Sequence, residues 1–168
     1  MIYFTSDEHF GHNNILKYCP ERYKQFQTVY SMDEAIVERW NSRVNKNDIV
    51  INLGDVAFDN FDILDKLNGT KFLVLGNHDI KNKKKLTKWF KVYDELIVVD
   101  NTYDLVLCHY PMKEWPQKYH DYIHLHGHSH GKLYYDTMAV DVGVDCWNYT
   151  PITLDEIKER IFERKERE

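Results

Sequence analysis

Five short apolar runs along the chain each stop at a glycine or a cluster of polar residues. The clearest is Phe72 to Leu75, which Gly76 breaks and Asn77, His78 and Asp79 follow. Runs this short, bounded by turn residues, predict buried strands. Ile2 to Thr5, Ile49 to Leu53, Leu105 to Cys108 and Ile123 to His126 read the same way. Leu96 to Val99 adds a strand that forms a hairpin with Leu105 to Cys108 through Asp100-Asn101-Thr102, and Leu133 to Tyr135 and Met138 to Val142 add two late ones.

Helical periodicity lies between these runs. Ile15 to Tyr18 predicts a short helix that Cys19-Pro20 stops, and residues 20–30 read as an ordered loop. Ser31 and Glu34 have the spacing of a capping box, after which Met32, Ala35, Ile36, Trp40 and Val44 share one face. Phe61, Leu64 and Leu67 suggest a short helix closed by Asn68-Gly69. Residues 81–91 predict a helix with a basic face of Lys81, Lys83, Lys84, Lys85, Lys88 and Lys91. A second capping box, Thr153 with Glu156, opens a final helix with Leu154, Ile157 and Ile161 inward. Strands and helices alternate early and strands cluster late, which favours a single α/β domain over residues 1–168.

The 43% apolar and 29% charged residues are ordinary for a globular domain and leave that picture unchanged. A net charge of -5 supplies no global basic field, so nucleic acid is not indicated as a partner. The mean hydropathy of -0.60 and the lack of a long apolar run argue against a membrane span. The first residues carry no signal-peptide pattern, and three unpaired-looking cysteines suggest reduced thiols, so a cytoplasmic protein is expected. A homo-oligomer is compatible with all of this.

The strand ends carry Asp7 and His9, Asp55, Asn77 and His78, His109, and His128 and His130. Carboxylate, imidazole and amide groups without thiolate suit Mn²⁺, Fe or Zn²⁺. Asp7 and His9 are two apart, as are His128 and His130, and residues i and i+2 of an extended chain point the same way. The ligands are too many for one catalytic zinc, which usually takes ~3 from the protein. Two ions sharing a carboxylate fit better, an arrangement that clamps both oxygens of a phosphoryl displacement.

In order and spacing, Asp7-x-His9, Gly54-Asp55, Gly76-Asn77-His78-Asp79, His109 and Gly127-His128-x-His130 resemble the signature of calcineurin-like metallophosphoesterases. The resemblance implies a four-layer α/β/β/α sandwich with two mixed β-sheets and the metals at the sheet edges. It implies one metal on Asp7, His9, Asp55 and His130 and another on Asp55, Asn77, His109 and His128, bridged by Asp55. A metal-bound hydroxide would attack phosphorus, His78 would stabilise charge or protonate the leaving oxygen, and Asp79 would orient His78. The stretch His9-Phe10-Gly11-His12-x-Asn14-Ile15 resembles small bacterial and phage members, which makes His12, Arg22 and Asn77 candidate contacts for the substrate phosphate. The Asp-Arg-Gly extension of the protein phosphatases is missing after Asp55, so phosphoproteins are not the expected substrate.

The resulting expectation is a dinuclear metal-dependent phosphoesterase acting on phosphodiesters or small phosphate esters, nucleotides included. Its cofactors would be two divalent ions, Mn²⁺ first, then Fe, Zn²⁺ or Ni²⁺. A nuclease or nucleotide-end phosphatase is the alternative within enzymes, and a non-catalytic metal-binding scaffold is the alternative outside them. The lysines of residues 81–91 would steer an anionic substrate if they face it, and are otherwise a solvated face.

Overall fold

The structure, a computed structural model, describes residues 1–94, 98–134 and 136–167. In chain order the strands are β1 (Ile2–Thr5), β2 (Ile49–Asn52), β3 (Thr70–Val74), β4 (Lys91–Tyr93), β5 (Val98–Asp100), β6 (Leu105–Leu107), β7 (Ile123–His126), β8 (Ala139–Asp141) and β9 (Ile152–Thr153). The helices are α1 (Ile15–Tyr18), α2 (Pro20–Phe26), α3 (Val29–Arg43), α4 (Lys83–Leu86) and α5 (Leu154–Lys165).

Two mixed sheets stack face to face. One runs β4-β3-β2-β1-β9, the other β5-β6-β7-β8. In the first, β1 to β4 are parallel and β9 lies antiparallel to β1; in the second, β6 to β8 are parallel and β5 is antiparallel. Parallel strands are buried on both faces, which is why they read as nearly continuous apolar runs. Alternation still sorts the layers. Tyr3, Val50 and Leu73 pack on Met32, Ile36 and Trp40 of α3, whereas Phe4, Val74, Leu105, Leu107, Leu125 and Val140 fill the space between the sheets. Val106 and Ala139 on the far side of the second sheet are covered by Trp115, beside a single 3-10 turn at Lys118–His120. This is the α/β two-sheet sandwich that the motifs imply.

Several predicted boundaries move. Residues 20–26 are not loop but α2, because Pro20 sits at its first turn, where a missing N–H costs nothing. α3 begins at Val29 with Thr28 as its cap, its hydroxyl accepting from Ser31 N, so Ser31 lies inside the helix. The lysine stretch holds only a 3-10 turn (Ile80–Asn82) and the four residues of α4 before the chain extends into β4 beside β3. Leu133 and Tyr134 are in no strand, and of the strand read over Leu96 to Val99 only Val98 and Val99 lie among the described residues. β9, two residues long, was not foreseen. The Thr153–Glu156 box forms in both directions, and it starts α5 immediately after β9.

Candidate metal centre

The carboxyl ends of β1, β2 and β3 in one sheet meet those of β6 and β7 in the other. Backbone bonds tie the loops together: Asp7 N donates to Gly54 O, Gly127 N to His109 O and Val144 N to Ser6 O. His128 N donates to Asp7 Oδ2 at 2.9 Å, which links the two sheets through a candidate ligand. A side chain at either of two glycines would force a neighbouring group to move. A Cβ on Gly76 would come within 2.2 Å of Asp55 Oδ1, and one on Gly127 within 2.1 Å of Ser6 Oγ.

Asp7, His9, Asp55, His128 and His130 all have left-handed backbone, with φ of 61°, 58°, 58°, 66° and 48°. The expected extended spacing of the Asp7–His9 and His128–His130 pairs is therefore not what aims them. Tight reversals at the strand ends do, a conformation L residues adopt at a cost and that collects at sites. Asp7 and His9 converge, while His128 and His130 part company. One cluster is Asp7, His9 and His130 and another is Asp55, His109 and His128, the ligand atoms of each within 4.8 Å of one another. Between them lies Asp55 Oδ2, 3.8 Å from His9 Nε2, 3.6 Å from His109 Nε2 and 3.8 Å from His78 Nε2. These distances are too long for hydrogen bonds and suit groups arranged around a cation with ligand bonds of ~2.0–2.2 Å.

The donor chemistry points to a cation as well. Asp7 Oδ1 and His9 Nε2, 3.7 Å apart, are buried with no hydrogen-bond partner. Buried polar atoms are otherwise almost always paired. His109 Nδ1 lies 2.7 Å from Leu53 O, which can only accept, so the proton sits on Nδ1 and Nε2 presents a lone pair. That lone pair faces Asn77 Oδ1, another acceptor, at 3.1 Å. Likewise His130 Nδ1 donates to Asp145 Oδ2 at 2.7 Å, which makes Nε2 the candidate ligand atom. Such outer partners orient metal-bound imidazoles.

A sequence profile described as calcineurin-like phosphoesterase matches residues 1–149. The chain belongs to the calcineurin-like phosphoesterase family. Its members are metal-dependent hydrolases of phosphoesters. MJ1445 of Methanocaldococcus jannaschii, described as uncharacterized, is 31% identical over 98% of this chain and 93% of its own length. The Gene 66 protein of Mycobacterium phage D29 is 25% identical, with 98% of each chain covered. Among solved structures, AQ665 from Aquifex aeolicus, titled a protein of unknown function, superposes with a TM-score of 0.71 at 28% identity over 95% of this chain and 98% of that one.

In this phosphoesterase the electrostatics follow the clusters. Burial alone would raise Asp7, but the close His9, His109 and His130 rings outweigh it and hold the carboxyl well below its usual range. Burial pushes Asp55 up to about 7 against the pull of His109. Burial also pushes His9 down to about 3. His130 goes the other way: Asp145 overcomes burial and lifts it to about 10. A cation entering beside His130 must displace a proton, so its uptake tightens as pH rises.

The remaining expected site residues separate. His78 stands over Asp55 with its side chain 43% exposed, and its backbone N donates to Asp55 Oδ1. His12 stacks on Phe58 with ring centroids 3.7 Å apart, and its Nδ1 lies 3.1 Å from His9 Nδ1. Asp79 does not orient His78. Its oxygens accept from the backbone N–H groups of Asp55, Val56 and Gly76, pinning two ligand loops, and among the described residues it makes no bond to the His78 ring. Arg22 is 0% exposed and its donors are engaged inside the protein, so it is not placed to meet a substrate. Most of the lysine face is also committed elsewhere: Lys83 pairs with Asp94, Lys88 with Asp65, and Lys85 lies over Phe61. Lys81 approaches the centre, 6.0 Å from the Phe58 ring.

Sequence reasoning missed one of the supports, Glu8. Asp145 holds His130. Asp141 accepts from Ser129 Oγ, Gly131 N and Gly143 N and so shapes the His128–His130 turn. Glu8 is fully buried between Thr5 Oγ1 at 2.6 Å and Asn52 Nδ2 at 2.7 Å, and Asn52 Oδ1 in turn accepts from Gly54 N. A buried acid beside two ligands was the only available signal. His124 and His126 are core histidines, with Nδ1 near Val106 O and Gly127 O respectively.

Among the described residues no helix is long and apolar enough to cross a membrane.

Proposed function

We propose that the chain hydrolyses phosphodiesters or small phosphate esters with two divalent ions, Mn²⁺ being the preferred metal. Asp7, His9 and His130 would hold one, Asn77, His109 and His128 the other, and Asp55 would bridge. The observation that carries this reading is the position of Asp55 Oδ2, within 3.8 Å of His9 Nε2 on one side and 3.6 Å of His109 Nε2 on the other. When bound, such ions supply Lewis-acid charge and lower the pKa of water.

The chain's own groups do the rest. His78 is the exposed imidazole over the bridge. Burial and the charges around it lower its pKa, so it is neutral near pH 7 and offers one N–H to a developing oxyanion or leaving oxygen. His12, held flat by Phe58 at the rim, is the candidate contact for a phosphoryl oxygen, with Asn77. The test is metal content by elemental analysis together with hydrolysis of bis-p-nitrophenyl phosphate and p-nitrophenyl phosphate in Mn²⁺. Two ions per chain and faster turnover of the diester support the reading. One ion per chain, or no hydrolysis of either ester, overturns it.

A further inference from the structure

A buried guanidinium is costly unless its N–H groups are paired, and Arg22 pairs them with one candidate-ligand loop and with the carboxylate that holds His130. Its Nε and Nη2 grip Asp145 in a fork at 2.7 and 2.6 Å. Its Nη2 also donates to Asp7 O at 2.6 Å and its Nη1 to Glu8 O at 3.0 Å. The first contact reaches His130, because Asp145 Oδ2 accepts a hydrogen bond from His130 Nδ1. The others fix the carbonyls of the Asp7–His9 reversal, where Asp7 and His9 are held at φ of 61° and 58°. A strained turn persists only when its surroundings over-determine it.

The other cluster is supported differently. His109 rests on Leu53 O, and the Asp55 backbone rests on Asp79. Among the described residues none of these groups bonds to Arg22. A third grouping, Cys19, His130 and Asp145, already has the Arg22 cation on its carboxylate and is no separate metal site.

We infer that Arg22 is a positioning residue for one cation only, holding Asp7, His9 and His130 on a common point while Asp55, His109 and His128 stand without it. The inference rests on the two-ion reading above. Lysine cannot replace the fork, since its three donors radiate from a single nitrogen.

The experiment titrates Mn²⁺ calorimetrically into chelator-treated wild type, Arg22→Lys and Asp145→Asn, with circular dichroism to confirm folding. The wild type takes two ions. Arg22→Lys keeps one at wild-type affinity and binds the other at least about tenfold more weakly, the usual size of an outer-partner effect. Adding His109→Ala to Arg22→Lys then removes the remaining tight ion. Asp145→Asn, which leaves the Asp7 and Glu8 carbonyls bonded to Arg22 but loosens His130, shows the same one-sided loss. Arg22→Gln, which removes the fork without adding a charge, decides the matter by the same criterion should Arg22→Lys fail to fold. Two wild-type affinities in the folded variant, or equal weakening of both ions, overturns the inference. A wild type that binds fewer than two ions overturns the two-ion reading, and this inference with it.

Discussion

His78 and Glu8 lie within two residues of candidate ligands yet do opposite things. His78 is exposed over the centre, so His78→Ala should cut turnover by roughly 10²–10⁴-fold while metal content stays unchanged, since the side chain is assigned to substrate and not to the ions. Loss of metal in that variant would move His78 into the ligand set. Glu8 is buried, and burial lifts its carboxyl from 4.5 to about 7. The sign follows from the direction. A raised carboxyl holds its proton more tightly in the folded state, so its contribution to stability is present below pH 4.5 and is lost as pH rises towards 7. Glu8→Gln does not titrate and can keep both the Thr5 and Asn52 bonds. Relative to wild type it should gain up to roughly 3 kcal/mol between pH 5 and pH 8, read from urea melts of the chelator-treated proteins. A difference independent of pH would count against a buried, proton-holding Glu8.

The strand ends act as units because they approach closely. Gly127 ends β7 against the loop after β1, and a Cβ there would lie 2.3 Å from Asp7 Oδ2 as well as meeting Ser6 Oγ. Gly127→Ala must displace that carboxylate. We expect Mn²⁺ affinity to fall by about tenfold or more with the far-ultraviolet spectrum unchanged, measured by calorimetric titration; unaltered affinity would mean that the loop yields freely. The same closeness explains which parts of the sequence could be read. Short apolar runs ending in a glycine or a polar cluster mark β1, β2, β3, β6 and β7, because burial on both faces leaves an unbroken apolar signature. α2 was hidden, since seven residues with mixed polarity carry no period and Pro20 reads equally as a stop or a start. β4 and β9, three and two residues long, exist only because a neighbour supplies the hydrogen bonds.

Two sheets pressed together bring like charges and lone pairs to one seam, a cost that a bound cation would offset. Asp7, Asp55 and six histidine rings, His9, His12, His78, His109, His128 and His130, share the seam or its rim. Adding Mn²⁺ should therefore stabilise the whole fold, by about 2.7 kcal/mol at a free concentration 100 times the dissociation constant. The midpoint of a urea or thermal melt should fall on chelation and recover on adding the metal back. An unchanged midpoint would mean that the ions do not bind the folded state preferentially.

The candidate ligands were legible in the order of residues alone. Aspartate, histidine and asparagine placed after apolar runs carry their chemistry wherever they fold, and their number argued for two cations. How those ligands are aimed and shared was decided in three dimensions. His128 and His130, neighbours in the chain, go to different clusters because left-handed turns rotate them apart. Arg22, read as a contact for substrate, is instead bonded inside the protein, because at 0% exposure it has no route to solvent. Hydrogen bonds between residues up to 123 apart are set by packing, and local sequence holds no record of them.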